Sequence, residues 1–167
     1  QSILPVSAAE LANRSVFLSS SFASEVVTNV FNFTTEGPST IGSISFLYCT
    51  NSPIHEDPCT APTGLNVSAF TINSQLGLNG FAVSGATTAN QIVITRAPAL
   101  AASTSATYSF GSITNPSTVN EIVYIRISVF DGINATGTMV DRGSVVFVVD
   151  DRYDLSAYVP PYLTFCV

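Results

Sequence analysis

The chain has 167 residues, of which 46% are hydrophobic and only 10% are charged, and its formal net charge is −6. Its five cationic residues are all arginines, and it contains no lysine. This composition argues against binding to nucleic acids or anionic membranes, which requires clustered Lys and Arg. It also excludes lysine-dependent chemistry such as Schiff bases, P-loops and isopeptide links. The length suits one domain.

Hydrophobic residues recur mainly with period two, which predicts strands. We expect residues 1–14 to form an extended, irregular N-terminal arm and residues 15–167 to form a single domain. Only residues 8–11 and 98–102 suggest a helical turn. The predicted strands cover residues 27–34, 43–49, 66–72, 80–84, 91–96, 105–111, 121–131, 144–150 and 156–167.

Turn-forming clusters of Gly, Pro, Asn and Ser separate these strands, as at residues 36–39, 61–64, 78–80 and 114–117. Short strands with such punctuation are typical of antiparallel sandwiches. We therefore predict an all-β fold, an antiparallel Ig-like β-sandwich of about eight to ten strands. The run at residues 121–131 carries large apolar residues on both faces and is predicted to be a central strand.

The cysteines bear on the compartment. Cys49 and Cys59 flank a turn-rich loop and are predicted to form a disulfide, the alternative being two unpaired thiols. Cys166 is then left for an intermolecular bond, a buried thiol or a partner elsewhere. No apolar run is long enough for a transmembrane segment. Residue 1 is Gln, which fits either removal of a secretory signal or an excised fragment.

Four Asn-x-Ser/Thr motifs are possible glycosylation sites, although a sequence rich in Asn, Ser and Thr produces such motifs by chance. The best of them lies in residues 131–137, which resemble an exposed hairpin loop. The four asparagines are Asn13, Asn32, Asn66 and Asn134.

No catalytic or cofactor site is evident in the sequence. His55 is the only histidine, and we expect it to be a solvated loop residue. Asp150, Asp151 and Asp154 are calcium candidates, but Arg152 lies among them and a solvated turn is favoured. We therefore expect no enzyme activity, no cofactor and no metal.

Six stretches occur in a characteristic order, and the similarity that they carry runs over nearly the whole chain. They are LSSS (18–21), FNFTT (31–35), FLYCTNSPI (46–54), CTAPTGL (59–65), ITNPS (113–117) and YVPPYLTFCV (158–167). With them the chain resembles an uncharacterised family of secreted surface proteins from ultrasmall candidate-phylum bacteria. The resemblance implies β-sandwich architecture and an extracellular, cell-surface location, and it implies no catalytic residue. Members of that family usually continue beyond the segment that ends this chain.

Two functions fit these observations. The first is an extracellular structural subunit of a filament, pilus (fimbria) or surface layer, a homopolymer in which Ile3, Leu4 and Val6 of the arm add a strand to a neighbouring protomer. The alternative is an adhesin that binds a glycan or protein on a host or neighbouring cell, through residues 50–58, residues 131–137 or the C-terminal tyrosines. An exported hydrolase is a third hypothesis, for which the sequence shows no site.

Overall fold

The computed structural model describes residues 8–151, and within this range it contains ten strands and no helix. In chain order the strands are β1 (Ala9–Glu10), β2 (Ala12–Leu18), β3 (Val26–Thr34), β4 (Ser39–Cys49), β5 (Thr71–Leu76), β6 (Ala82–Val83), β7 (Gln91–Ala101), β8 (Ser105–Thr114), β9 (Ile122–Phe130) and β10 (Met139–Val148).

The strands form two sheets that pack face to face. The first sheet has six strands in the order β1-β10-β9-β4-β7-β6, and the second has four in the order β2-β3-β8-β5. Neighbouring strands are antiparallel except β1 and β10, which are parallel. The prediction of an all-β sandwich with eight to ten strands is confirmed. The central position predicted for residues 121–131 is also confirmed, because β9 lies between β10 and β4.

An aromatic core joins the two sheets. Phe31 of β3 and Phe46 of β4 have ring centroids 4.6 Å apart, and Phe46 also meets Phe110 of β8 edge to face at 5.2 Å. A polar contact crosses the same interface, where the buried Asn29 amide donates to the Tyr48 hydroxyl at 3.0 Å. Burying these alternating side chains supplies the main driving force for closing the sandwich.

The N-terminal region differs from the prediction. Residues 9–14, which we assigned to an arm, lie in β1 and β2, and the intervening Leu11 is buried. The chain leaves the first sheet after β1 and enters the second as β2, a strand missing from the sequence-based set. Its alternation is hard to detect because four of its seven side chains are exposed and none is buried.

Three other assignments need correction. Residues 8–11 and 98–102 form no helical turn, because β1 and β7 occupy most of them and gain ladder hydrogen bonds there. Residues 66–70 precede the strand rather than belong to it: Val67 and Phe70 are buried in a turn, and β5 begins at Thr71. The predicted strand at 156–167 lies outside the described residues.

Candidate interaction site

The loop between Cys49 and Cys59 lies against the outer face of the six-stranded sheet. The predicted disulfide is present, with the two Cα atoms 5.2 Å apart. Ser144 of β10 donates from its hydroxyl to the Pro53 carbonyl at 2.7 Å. His55 donates from Nε2 to the Ile127 carbonyl of β9 at 3.1 Å. His55 is therefore half-buried and attached to the sheet, not a fully solvated loop residue as expected.

Arg126 of β9 anchors this loop from beneath. Its side chain is only 2% exposed, and it donates to the carbonyls of Ser52 at 3.0 Å, Asp57 at 2.7 Å and Pro58 at 3.4 Å. A guanidinium group offers five donors in a fixed plane, so one side chain can hold several carbonyls of a turn. Arg126 was not among the predicted site residues, although a lone arginine within an apolar strand was an available signal.

A charged groove of about 280 Å³ runs between the disulfide loop and the β1–β2 corner. Arg14 pairs with Glu10 at 2.7 Å, and Arg142 pairs with Glu56. All four side chains line the groove. Gly143 of β10 also lines the groove, and the Arg14 side chain occupies the space that a Cβ at Gly143 would need. The charges balance, so the groove presents both signs to solvent.

The contacts in the groove shift the pKa values of its titratable groups. The hydrogen bond and charge of Arg14 lower the pKa of Glu10. The pKa of Glu56 is also lowered, by its own backbone amide first and then by Arg142. Burial lowers the pKa of His55, and the bond to Ile127 partly offsets this effect. At neutral pH both carboxylates are ionised and the imidazole is neutral.

Strand β10 has an open edge next to this groove. The Leu11 amide donates to the Arg142 carbonyl at 2.8 Å, and the Asp150 amide donates to the Ser21 carbonyl at 2.8 Å on the same side. Even-numbered residues of β10 therefore direct their backbone groups to this edge. Among residues 8–151, no strand pairs with this edge between Arg142 and Asp150.

Exposed apolar side chains flank the open edge. Val146 and Val148 point away from the core and are 54% and 50% exposed, and they pair across the sheet with Tyr124 and Ile122. On the inner side, Phe147 is only partly buried. Unpaired edges with apolar side chains favour pairing with another strand. The edge and its two faces therefore form a candidate surface for strand addition.

The structure shows the four predicted glycosylation residues in different settings. Asn13 and Asn66 are exposed, while Asn32 is partly covered within β3, where its side chain bonds to Ser15 and Thr107. Asn134 lies in the β9–β10 hairpin loop, as expected for residues 131–137. Its side-chain oxygen accepts a hydrogen bond from Ser84 at 2.7 Å.

The remaining predicted residues have no common site in the described range. The backbone of Asp150 bonds to Ser21 and Ala23, and its carboxylate accepts from the Asp151 amide at 2.8 Å. Within residues 8–151, no three His, Cys, Asp or Glu side chains group as metal ligands, and no helix is long and apolar enough to cross a membrane. The predictions for Ile3, Leu4, Val6, Tyr153, Asp154, Tyr158, Tyr162 and Cys166 fall outside that range.

Comparison with known proteins gives only distant likenesses. No family model and no curated protein matches the chain, so the resemblance to bacterial surface proteins stays a prediction. BslA, described as a bacterial hydrophobin, is 12% identical with a TM-score of 0.47, over 90% of this chain and 99% of that chain. The human F-spondin reeler domain is 9% identical with a TM-score of 0.42, over 84% of this chain and 90% of its own. A cohesin module of a Clostridium perfringens family 33 glycoside hydrolase is 12% identical with a TM-score of 0.38, over 85% and 98%. Similarity at this level carries no inference about function.

Proposed function

We propose that this chain is an extracellular structural subunit that assembles into a cell-surface filament, pilus or surface layer by strand exchange between protomers. The observation that carries the proposal is the open edge of β10. The disulfide supports an extracellular location, because disulfides persist in oxidising compartments. The proposal gives the chain no catalytic residue and no cofactor.

The open edge has the dimensions of a strand-addition site. The edge from Arg142 to Asp150 includes nine residues, whose eight intervals span about 26 Å of extended chain. A donor strand of about five residues would fit between the β1 pairing and the bridge at Phe22. Its backbone would pair with the outward groups of Ser144, Val146 and Val148, and alternate side chains would cover the two faces of the edge.

The donor in this proposal is the segment before β1 in a second copy, which contains Ile3, Leu4 and Val6. A head-to-tail contact of this kind does not close on itself and so extends into a fibre. The deletion that tests the donor must stop at residue 7. A longer one, through residue 12, would remove β1 and the buried Leu11, and it would test folding instead.

The decisive experiment is to block the acceptor edge. Val146→Pro removes one N–H that points outward from the edge, and an edge strand tolerates proline at such a position. Val146→Thr keeps that N–H and serves as the matched control. We expect wild type and Val146→Thr to form polymers in electron microscopy and light scattering. Val146→Pro should remain a monomer with an unchanged far-UV circular dichroism spectrum.

The donor and the acceptor are tested separately. Deletion of residues 1–7 should also give monomers, and adding a peptide of residues 1–7 should not restore fibres, because the peptide fills the acceptor edge. If Val146→Pro fails to fold, Val146→Lys places a charge on the same edge without removing the N–H. Normal polymers from both folded edge variants would refute assembly through β10.

The charged groove favours a second candidate function, an adhesin that binds a glycan or protein. The disulfide loop beside the groove is anchored by Arg126, so its shape is set before any ligand arrives, which lowers the cost of binding. Glycan-array binding by the monomeric Val146→Pro variant would support it. Arg142→Gln should weaken that binding, because it breaks the Glu56 pair at the groove, and absence of binding by the monomer would count against the adhesin.

A further inference from the structure

The strand residues on the outer face of the four-stranded sheet carry no charge. Strands β2, β3, β8 and β5 contain a single charged residue, Arg14. Strand β2 shifts register between Ala12 and Ser15, and the Arg14 side chain lies over Gly143 in the groove, not on this face. The charged strand residues are instead concentrated in the six-stranded sheet, as Glu10, Arg96, Arg126, Asp141 and Arg142. We call the surface formed by the outward side chains of β2, β3, β8 and β5 the uncharged face.

A row of hydrogen-bonded polar side chains crosses three strands of the uncharged face. Thr107 of β8 donates from its hydroxyl to the side-chain oxygen of Asn32 in β3 at 2.8 Å. The side-chain amide of Asn32 donates in turn to the hydroxyl of Ser15 in β2 at 3.3 Å. A hydroxyl is both a donor and an acceptor, so Ser15 keeps a proton to donate and Thr107 keeps lone pairs to accept. The row therefore offers fixed hydrogen-bonding groups to a ligand.

Two large apolar side chains lie at opposite edges of the uncharged face. Phe17 of β2 is 67% exposed, and Leu76 of β5 is 64% exposed. Phe17 is in register with Val30 of β3, which is in register with Ser109 of β8, and Leu76 is in register with Thr107. Three strand spacings of about 4.8 Å separate the two edge strands, so the face is about 14 Å wide. It presents an exposed aromatic ring beside a polar centre.

The size and the neutrality of this face restrict what it can bind. Strand β3, from Val26 to Thr34, gives it a length of about 26 Å, so its area is roughly 400 Å². A stable protein–protein interface buries about 800 Å² on each partner, so the face is too small to hold a second copy of the chain by itself. A charged ligand would lose hydration here without meeting an opposite charge, which is unfavourable. The ligand that fits is long, narrow and uncharged.

We propose that the uncharged face binds a neutral polysaccharide. A sugar ring has hydroxyl groups around its rim and C–H groups on its two faces. Its hydroxyls can therefore pair with Ser15, Asn32 and Thr107 while a C–H face stacks on the electron-rich face of the Phe17 ring. The hydrogen bonds within the row hold these polar groups in place before binding, which lowers the cost of ordering them. The site is separate from the β10 edge and from the charged groove, and it depends on neither.

The test is calorimetric titration of the full chain with two neutral polysaccharides, hydroxyethylcellulose and laminarin, and with the anionic polysaccharide alginate. We expect binding to at least one neutral polysaccharide and none to alginate. The affinity should be the same in about 50 and about 500 mM salt, because no ion pair contributes to it. Val146→Pro should bind like wild type, so a failure of strand exchange leaves this result unaffected.

Variants on the two sheets locate the site. Phe17→Ala should weaken binding about tenfold, and Ser109→Arg, which places a long cation at the centre of the face, should abolish it. The matched controls are Ile122→Ala and Ile122→Arg, on the outer face of the six-stranded sheet, and both should bind like wild type. If Ser109→Arg does not fold, Phe17→Ala decides the question.

Four results would overturn the proposal. The first is no binding of wild type to either neutral polysaccharide, and the second is binding to alginate instead. The third is equal affinity in wild type, Phe17→Ala and Ser109→Arg, in which case a loss in Arg142→Gln would place the ligand in the charged groove. The fourth is a different occupant of the face: a second copy if Ser109→Arg changes only the sedimentation of the Val146→Pro protein, or the chain's own terminal residues if Ser109→Arg lowers only the thermal midpoint.

Discussion

Replacing Arg126 with methionine should release the disulfide loop from the six-stranded sheet. Methionine keeps the apolar stem of the arginine and removes every donor. The variant leaves the carbonyls of Ser52 and Asp57 without their short hydrogen bonds, which are 3.0 and 2.7 Å long in the structure. The third bond, to Pro58 at 3.4 Å, contributes little at that length.

The expected cost follows from the two short bonds. A hydrogen bond to a charged group contributes roughly 1.5–3 kcal/mol, so the pair contributes about 3–6 kcal/mol. Removing a buried cation relieves part of its desolvation, which offsets some of that loss. We expect Arg126→Met to lower the free energy of unfolding by about 3 kcal/mol. The disulfide closes a loop with a sequence separation of 10 residues and should contribute a similar amount, roughly 2–3 kcal/mol.

The assay is equilibrium unfolding in urea followed by circular dichroism, together with hydrogen exchange of the loop amides. Because Arg126 and the disulfide restrain the same loop, removing both should cost about 1 kcal/mol less than the sum of the two separate losses. The disulfide variant is Cys49→Ser/Cys59→Ser, and Arg126→Lys serves as a control that retains the charge but not the planar set of donors. A loss below 1 kcal/mol for Arg126→Met, or strict additivity with the disulfide variant, would refute this reasoning.

Two further predictions concern backbone strain and pH. Gly77 and Gly80 both have positive φ, but a Cβ at Gly77 would overlap the Ser105 carbonyl oxygen, whereas a Cβ at Gly80 would have no atom within 4 Å. Gly77→Ala should therefore lower the free energy of unfolding in urea by at least about 2 kcal/mol more than Gly80→Ala. Equal losses in the two variants would contradict the steric argument. His55, whose pKa is lowered from 6.5 chiefly by burial, binds a proton less readily in the folded state, so stability should fall as the pH drops below 6.5 towards the lower folded-state pKa. His55→Gln should lack that component between pH 7 and 5, and identical pH profiles for the two proteins would show that the histidine is not linked to folding.

The interior strands were predictable because their evidence is local. In β9 the core-facing residues Val123, Ile125 and Ile127 alternate with residues that point outward. Successive residues of a strand point to opposite faces, so this alternation in the sequence indicates which face is buried. The turn clusters between such strands also act within a few residues. The Cys49–Cys59 pairing followed from the short turn-rich loop between them, because a small loop keeps its two ends close.

The features that matter for function depended on contacts between distant parts of the chain. Arg126 donates to loop carbonyls about 70 positions earlier, and Asp141 is buried where β10 pairs with both β1 and β9. Within residues 8–151, the edge of β10 is left open because the chain changes sheets at Leu11, which no local sequence pattern records.

Side-chain periodicity thus determined which faces of this protein are apolar, because alternation is a property of neighbouring residues. Tertiary packing alone decided which edge stays open among the described residues and which loop carbonyls Arg126 holds. Both depend on where the remote segments of the folded chain come together.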